Sequence, residues 1–463
     1  MTGLDCGIDI GSTNVKVVLS DAAGRAVFSC AVPTPRVADG TGVATDAAAL
    51  VRLLESMIIE GWQEAGGGVP VRSIAAAGIG EDGVGVTSSL APTGVALPWF
   101  DMRAKAEAEE LFASAAATPL AGIAMAGDRT AAKWLWLRRH RPHELKQARF
   151  WIALTDYPAV SWTGKPFMSN TLAARTACFN VYDRTWIRDL LDAAGAPALP
   201  PLLSAGDHVG TMRVGSLVES GAASTRTIVV AGGHDHPIAA SAIRRHDATA
   251  RIDSMGTANL VYSEAVGRAA PYFDPFMAFS VPPLSQEGVA CLGVLELSEA
   301  LAPLRTNESL FRAVLSSERI PGAPLDSPFS RDPISEETAA IRLALENASF
   351  HARRMFAAMD EAGAPPGRLY ATGGWARSTA FLALRASIFN APIHRIEEPE
   401  LTAVAAAYLG AAAASGVSPR LDATRRVTTV DPIAEWARLY EAAFPDIWCR
   451  LDHAAPAPSV SQK

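Results

Sequence analysis

Apolar and polar positions along this chain fall into two successive blocks, each opening on short apolar runs. In the first, LDCGIDI, VKVVLSD and AVFSCAVPT are separated by GSTN and DAAG. Runs of that length between glycine-bearing turns predict three consecutive strands. RSIAAAGIG predicts a further buried strand. DMRAKAEAEELFASAAA is dense in helix formers and predicts a helix with Asp101 as its N-cap. Residues 129–147 read as helical and RFWIAL as a strand. The second block begins near residue 250, with strands around RIDSMG and NLVYSE. A long helix is expected from about Glu336 to Glu361, stopping before Gly363. RLYAT and APIHRIEE read as strands. PELTAVAAAYLGAAAASG predicts a small-residue helix with Pro399 early and Gly416 at its end. The closing HAAPAPSVSQK predicts a disordered tail.

One stretch echoes another. DIGSTNV, residues 9–15, resembles SMGTANL, residues 254–260: Gly11 matches Gly256, Ser12 matches Thr257 and Asn14 matches Asn259. Both copies sit where strand, tight turn and strand are expected. The pairing predicts a duplicated fold with a ligand between its halves; the plainer alternative is that such turns are common.

Composition narrows the classes. The 463 residues suit two or three domains, and 49% hydrophobic content with 36 Gly and 31 Pro marks a globular chain. A net charge of −7 and the lack of a basic block argue against nucleic acid as partner. Five scattered cysteines without CxxC argue against a disulfide framework or cysteine zinc site and fit a reducing, cytoplasmic setting. No signal peptide is visible in MTGLDCGIDIG, and no apolar run approaches the ~18 residues of a membrane helix.

The candidate chemistry lies at the turns. A turn of small residues presents backbone N–H groups to phosphate. DIGSTNVK adds the hydroxyls of Ser12 and Thr13 and the cation of Lys16. Asp9, just before the turn, is placed to hold waters of Mg²⁺, which needs only one or two carboxylates. The alternative is a plain hairpin with a surface lysine. No Walker-type GxxxxGK[ST] loop occurs. GIGEDG matches GxGxxG, but β-branched residues rather than a helix follow, so a hairpin is expected instead of a dinucleotide site. Its Glu81 and Asp82 are candidates to accept hydrogen bonds from hydroxyls. VVAGGHDHPIAA puts Asp235 between His234 and His236 at a strand end. Zinc would need a third ligand that the neighbourhood does not supply. Asp235 reads either as the cap of the following helix or as an acceptor for the proton of an attacking hydroxyl.

In combination these segments resemble the FGGY family of carbohydrate kinases, within the actin/hexokinase/Hsp70-like ATPases, from about residue 4 to 416. GIDIGSTNVKVVLSDAAG is similar to the family's first phosphate segment and SMGTANL to its second. LPWFDMRA is similar to its W-x-D-x-R segment, here Trp99, Asp101 and Arg103. AGGHDHPIAA is similar to the segment bearing the catalytic acid, and LYATGGWARSTAFLALRA to the nucleotide-binding end. The resemblance implies an α/β chain of two actin-like (ribonuclease H-like) domains with a central interdomain cleft. It places a sugar-binding domain at 1–245, a nucleotide-binding domain at 246–425, and a helix and flexible tail at 426–463. It implies ATP and Mg²⁺, with Asp235 as base. Asp9 stands beside the metal, and Asp235 shares that site. Gly11, Ser12, Thr13, Asn14, Lys16, Gly256, Thr257, Gly373, Gly374, Trp375 and Arg377 fall around the nucleotide. Glu81, Asp82, Trp99, Asp101, Arg103, His234 and His236 fall around the substrate.

The implied partner is a small sugar or polyol, with no nucleic acid or membrane and room for a homodimer. GEDGVG stands where xylulose kinases of the family tend to carry GQMHG, Trp375 where a third glycine is common, and HDH where GDN or GDQ is usual. A ketose such as a pentulose is the leading substrate expectation. The alternatives are a glycerol or tetritol kinase, an actin-like ATPase acting on protein, or a sugar-binding relative without turnover.

Overall fold

A computed structural model describes residues 3–453 apart from 41, 115–118, 257, 268–270, 272–273, 275–276, 296, 298–300, 303–306, 327–333, 418 and 420–426. The first part of the chain gives β1 (Asp5–Ile10), β2 (Asn14–Ser20), β3 (Ala26–Pro33), α1 (Ala47–Glu64), β4 (Ser73–Gly78), β5 (Gly83–Val86), α2 (Thr130–His140), β6 (Phe150–Ala153), β7 (His208–Thr211), β8 (Ile228–His234) and α3 (Asp235–Arg244). The second part gives β9 (Arg251–Met255), β10 (Asn259–Ala265), β11 (Met277–Ser280), β12 (Val289–Leu295), α4 (Glu336–Glu361), β13 (Leu369–Thr372), α5 (Thr379–Phe389), β14 (Ile393–Ile396), α6 (Leu401–Ser415), β15 (Val427–Val430) and α7 (Ala434–His453).

The strand orders are β7–β8–β4–β1–β2–β3 and β11–β12–β10–β9–β13–β14–β15. The two sheets share one plan. β1, β2 and β3 pair antiparallel in turn, as do β9, β10 and β12, with β11 added beyond β12 in the second sheet. Two strands then lie parallel to the first of each set: β4 and β8, and β13 and β14. An antiparallel strand, β7 or β15, closes the far edge. This is the duplicated, ribonuclease H-like arrangement expected from the sequence. β15 belongs to the second sheet, so the piece set apart as 426–463 contributes a strand to it.

Helix α6 joins the two sheets. It packs on β1 and β4 of the first and against α3. Its core unites Ala75 and Val230 with Ile252, Leu260 and Leu292. That position explains its composition. Leu401 and residues 403–411 are all buried, so it has no polar stripe; a helix covered on every side is apolar all round. At Gly7 of β1 a Cβ would lie 1.8 Å from the Ala403 carbonyl oxygen, so only glycine admits the helix this closely.

Several local expectations are corrected. Asp101 is not a helix cap. The helix after it spans Lys105–Ser114, and the Asp101 carboxylate instead accepts from the Arg103 N–H at 3.0 Å and from its guanidinium. Residues 129–147 form two helices, α2 and a short one at Pro142–Gln147, because Pro142 has no N–H to continue the first. β5 pairs mainly with β6 rather than with its own continuation. The two echo hairpins differ by one residue: Ile10 pairs with Val15, but Met255 pairs with Asn259. Asn14, though first in β2, therefore still belongs to the turn of the first hairpin, whereas Asn259 pairs directly with Met255 in the ladder of the second. Thr257 and residues 454–463 of the expected tail lie outside the described residues.

Candidate active site

The parallel strands end level. Asp9 pairs with Ala77, Ile10 with Gly78, and Gly78 with His234. The chain therefore leaves β1, β4 and β8 at Gly11, Ile79 and Asp235 along one edge. Ligands of open α/β sheets sit outside such carboxyl ends. In the second sheet Ser254 pairs with Thr372, so Gly256 and Gly373 leave side by side.

Two carboxylates belong to this edge, Asp9 on β1 and Asp235 just past β8. Asp9 stands opposite Lys16 in the β1–β2 ladder, with Lys16 Nζ 3.7 Å from its Oδ2. Burial, and next the nearby charge of Asp235, push the Asp9 carboxyl up to about 7. Asp235 is the first residue of α3; the cap position falls to His234. Asp235 Oδ1 accepts from the His236 N–H at 2.7 Å. The ring Nε2 atoms of His234 and His236 lie 3.3 and 3.6 Å from the same oxygen. Burial lowers His234 to about 4, so its ring is neutral at pH 7. Its Nε2 faces the carboxylate and is the nitrogen suited to carry the proton. Its Nδ1 is buried without a partner among the described residues, while its backbone N–H donates to Thr171 Oγ1 at 3.0 Å.

The loop after β4 carries Glu81 and Asp82. Glu81 is buried and clamped: its Oε1 accepts from Arg129 Nη1 at 2.9 Å and from Arg175 Nε at 2.8 Å. Although burial opposes ionisation, the Arg175 and Arg129 charges hold its carboxyl down at about 2. Gly80 makes this possible, since a Cβ there would lie 2.5 Å from Arg175 Cγ and 3.0 Å from His234 Cδ2. Asp82 is buried with no hydrogen bond of normal geometry to either oxygen among the described residues, and burial raises it to about 6. Its nearest cation, Lys133 Nζ, is 3.8 Å away and donates to the carbonyls of Glu81 at 3.2 Å and Leu97 at 2.9 Å. Glu81 is thus tied into the protein by two guanidiniums, whereas both Asp82 oxygens lack such a partner among the described residues.

Trp99 is 40% exposed at the rim, edge-on to Phe100. Arg103 joins Asp101 and Asp39, and Arg141 joins Asp39 at 2.7 Å. That makes an ionic cluster of its own.

The two candidate phosphate turns are partly self-satisfied. The Gly11 N–H donates to Asn14 O and the Gly256 N–H to Ala258 O, both at 3.0 Å. Thr13 is exposed, Ser12 is half-buried, and the Ser12 carbonyl accepts from Arg36 at 2.8 Å. Asn259 is a strut: its Nδ2 donates to Asp253 Oδ1 at 2.7 Å and its Oδ1 accepts from the buried Arg385. Gly373 has φ +91, and a Cβ on it would meet Met255 O at 2.5 Å; beside Gly374 the space is open. Trp375 packs edge-on against Phe311, and Arg377 is exposed.

Sequence reading missed Arg36, Arg129, Lys133, Arg175 and Glu400. Lys133 had a signal: a lone lysine inside AAKWLWL. The others look like ordinary surface charges until the fold brings them together.

The donor set fits a hydrated magnesium ion. Asp9 and Asp235 stand at the ends of the strands on either side of β4, and both offer the hard oxygen donors that such an ion takes. Among the described residues no group of three or more His, Cys, Asp or Glu is placed to hold a metal by itself. None of the described helices is long and apolar enough to cross a membrane.

Comparison with known proteins agrees with this architecture. The N-terminal domain pattern of the FGGY family of carbohydrate kinases matches residues 4–241, and the C-terminal domain pattern matches residues 286–414. A xylulose kinase of Streptomyces coelicolor is 27% identical over 97% of this chain and 96% of its own. One from Bacillus subtilis is 25% identical, the match spanning 61% of this chain and 62% of that relative's length. The structure of a xylulose kinase from Rhodospirillum rubrum superposes with a TM-score of 0.84 at 20% identity, over 98% of this chain and 99% of that one. With both domain patterns matched in order over a duplicated fold, the chain belongs to the FGGY family of carbohydrate kinases.

Proposed function

We propose that the protein transfers the γ-phosphoryl group of ATP to a hydroxyl of a small free sugar, a pentulose such as xylulose, with Asp235 as general base. The observation that carries this reading is Asp235 itself. Its carboxylate stands at the carboxyl end of β8, level with the Asp9 strand end and beside a neutral histidine. An acceptor in that place takes the hydroxyl proton as the sugar oxygen bonds to the γ-phosphorus. The bond from that phosphorus to the β–γ bridging oxygen breaks, and ADP departs. Magnesium, where bound, spreads the charge of the phosphate oxygens. Asp9 would hold its waters, with Asp235 close by.

The sugar would rest on the 1–245 half, near Trp99, His234 and His236. The nucleotide would rest on the 246–425 half, along Gly256, Thr257, Gly373 and Gly374, with Trp375 and Arg377 beyond. Gly11, Ser12 and Thr13 would face the phosphates from the first turn, with Lys16 held between Asp9 and Glu400. The pentulose choice is supported by the xylulose kinases among the relatives.

The test is an ADP-release assay over ketoses, aldoses, polyols and sugar acids with wild type and Asp235→Ala. Removing a general base costs about 10²–10⁴-fold in turnover. The variant should stay folded and lose activity on that scale. Full activity in the variant would remove Asp235 from the mechanism. A wild type that hydrolyses ATP slowly and answers to no sugar would favour an ATPase acting on protein.

A further inference from the structure

Lys16 lies between two carboxylates supplied by different parts of the fold. Asp9, its partner across the first hairpin, is 3.7 Å from the ammonium. Glu400 is closer, with Oε2 2.8 Å from Nζ. Glu400 is the cap residue of α6 and follows the parallel strands of the second sheet, yet α6 lies on the first. Its place is fixed from both sides. Three residues on, the Ala403 carbonyl presses on Gly7 of β1, and the Glu400 N–H donates to Glu398 Oε1 at 3.2 Å. The ammonium therefore lies closer to a carboxylate whose backbone is anchored by the packing of α6 on β1 than to Asp9.

We propose that Glu400 is a positioning residue that holds Lys16 back from Asp9, keeping the Asp9 carboxylate free for the hydrated magnesium of the bound nucleotide. The inference rests on the nucleotide-binding reading above. Coulomb attraction between two such charges rises as they close. Without the Glu400 charge, the flexible lysine stem lets the ammonium settle on Asp9, where it competes with the metal ion. Glu400 has no contact with substrate in this scheme and acts only through Lys16.

The test needs no turnover and no knowledge of the sugar. ADP binding is measured by calorimetry with and without Mg²⁺ for wild type, Glu400→Gln, and Glu400→Gln combined with Lys16→Met. In wild type the metal should strengthen ADP binding. In Glu400→Gln that strengthening should fall roughly tenfold, about 1.4 kcal/mol of coupling, with metal-free ADP affinity within about twofold of wild type. Adding Lys16→Met should bring the metal effect back to within about threefold of wild type, because the competing cation is gone. A purely structural role for Glu400 would not be rescued this way. An unchanged metal effect in Glu400→Gln, or one that stays low in the double variant, overturns the proposal. A wild type that binds no ADP under any condition fails the nucleotide reading itself. A wild type that binds ADP but phosphorylates no sugar fails only the substrate reading and leaves the Glu400 result intact.

Discussion

Glu81 lies in the hairpin expected to read the sugar, yet the geometry makes it a strut, and Glu81→Gln separates the two roles. Its carboxylate is buried and shared by Arg129 and Arg175. Two routes give the size of the effect. Removing one partner of a buried ion pair costs about 3–5 kcal/mol. Independently, its carboxyl falls from 4.5 to about 2. At about 1.36 kcal/mol per pH unit that is roughly 3 kcal/mol. The sign follows from the lowered value: the stabilisation is full above pH 4.5 and fades as pH falls towards 2. Urea unfolding followed by tryptophan fluorescence should therefore show Glu81→Gln about 3 kcal/mol less stable at pH 7, with the gap narrowing below pH 4.5. Sugar KM in the folded variant should shift less than stability does. An unchanged urea midpoint together with an altered sugar preference would refute the strut and return Glu81 to the substrate.

Two further outcomes are expected. Gly373→Ala places a Cβ 2.5 Å from Met255 O at φ +91, so the strand end next to Gly256 must shift; ADP affinity in calorimetry should fall at least about tenfold, and an unchanged affinity would place the nucleotide elsewhere. Asp9, raised to about 7, holds a proton over much of the acidic range. Binding of Mg²⁺–ADP should therefore release close to one proton below pH 7 and strengthen as pH rises, levelling above it. Calorimetry in buffers of different ionisation heat counts that proton, and no release at pH 6 would contradict the assignment.

Much of the frame was legible because its signals are local. The three opening strands, the long helix at 336–361 and the helix ending at Gly416 follow from apolar runs, helix formers and terminal glycine, which act within a few residues. The repeat of a glycine turn pointed to duplication, and the matching strand orders agree. Local signals also misled. Asp101 has the chemistry of a cap but a nearby guanidinium took its carboxylate. The Asn14–Asn259 match was one of letters, because the second hairpin is a residue shorter between its paired strands.

The sequence by itself determined which elements form, that they form two similar sets, and which acids stand at strand ends. Tertiary structure alone decided which charges meet. Glu81 finds Arg175 across 94 residues, and Lys16 finds Glu400 from the opposite end of the chain. Propensity and periodicity report on neighbours along the backbone. Charge pairing depends on distance in space and on loss of water, and neither exists before the chain has packed.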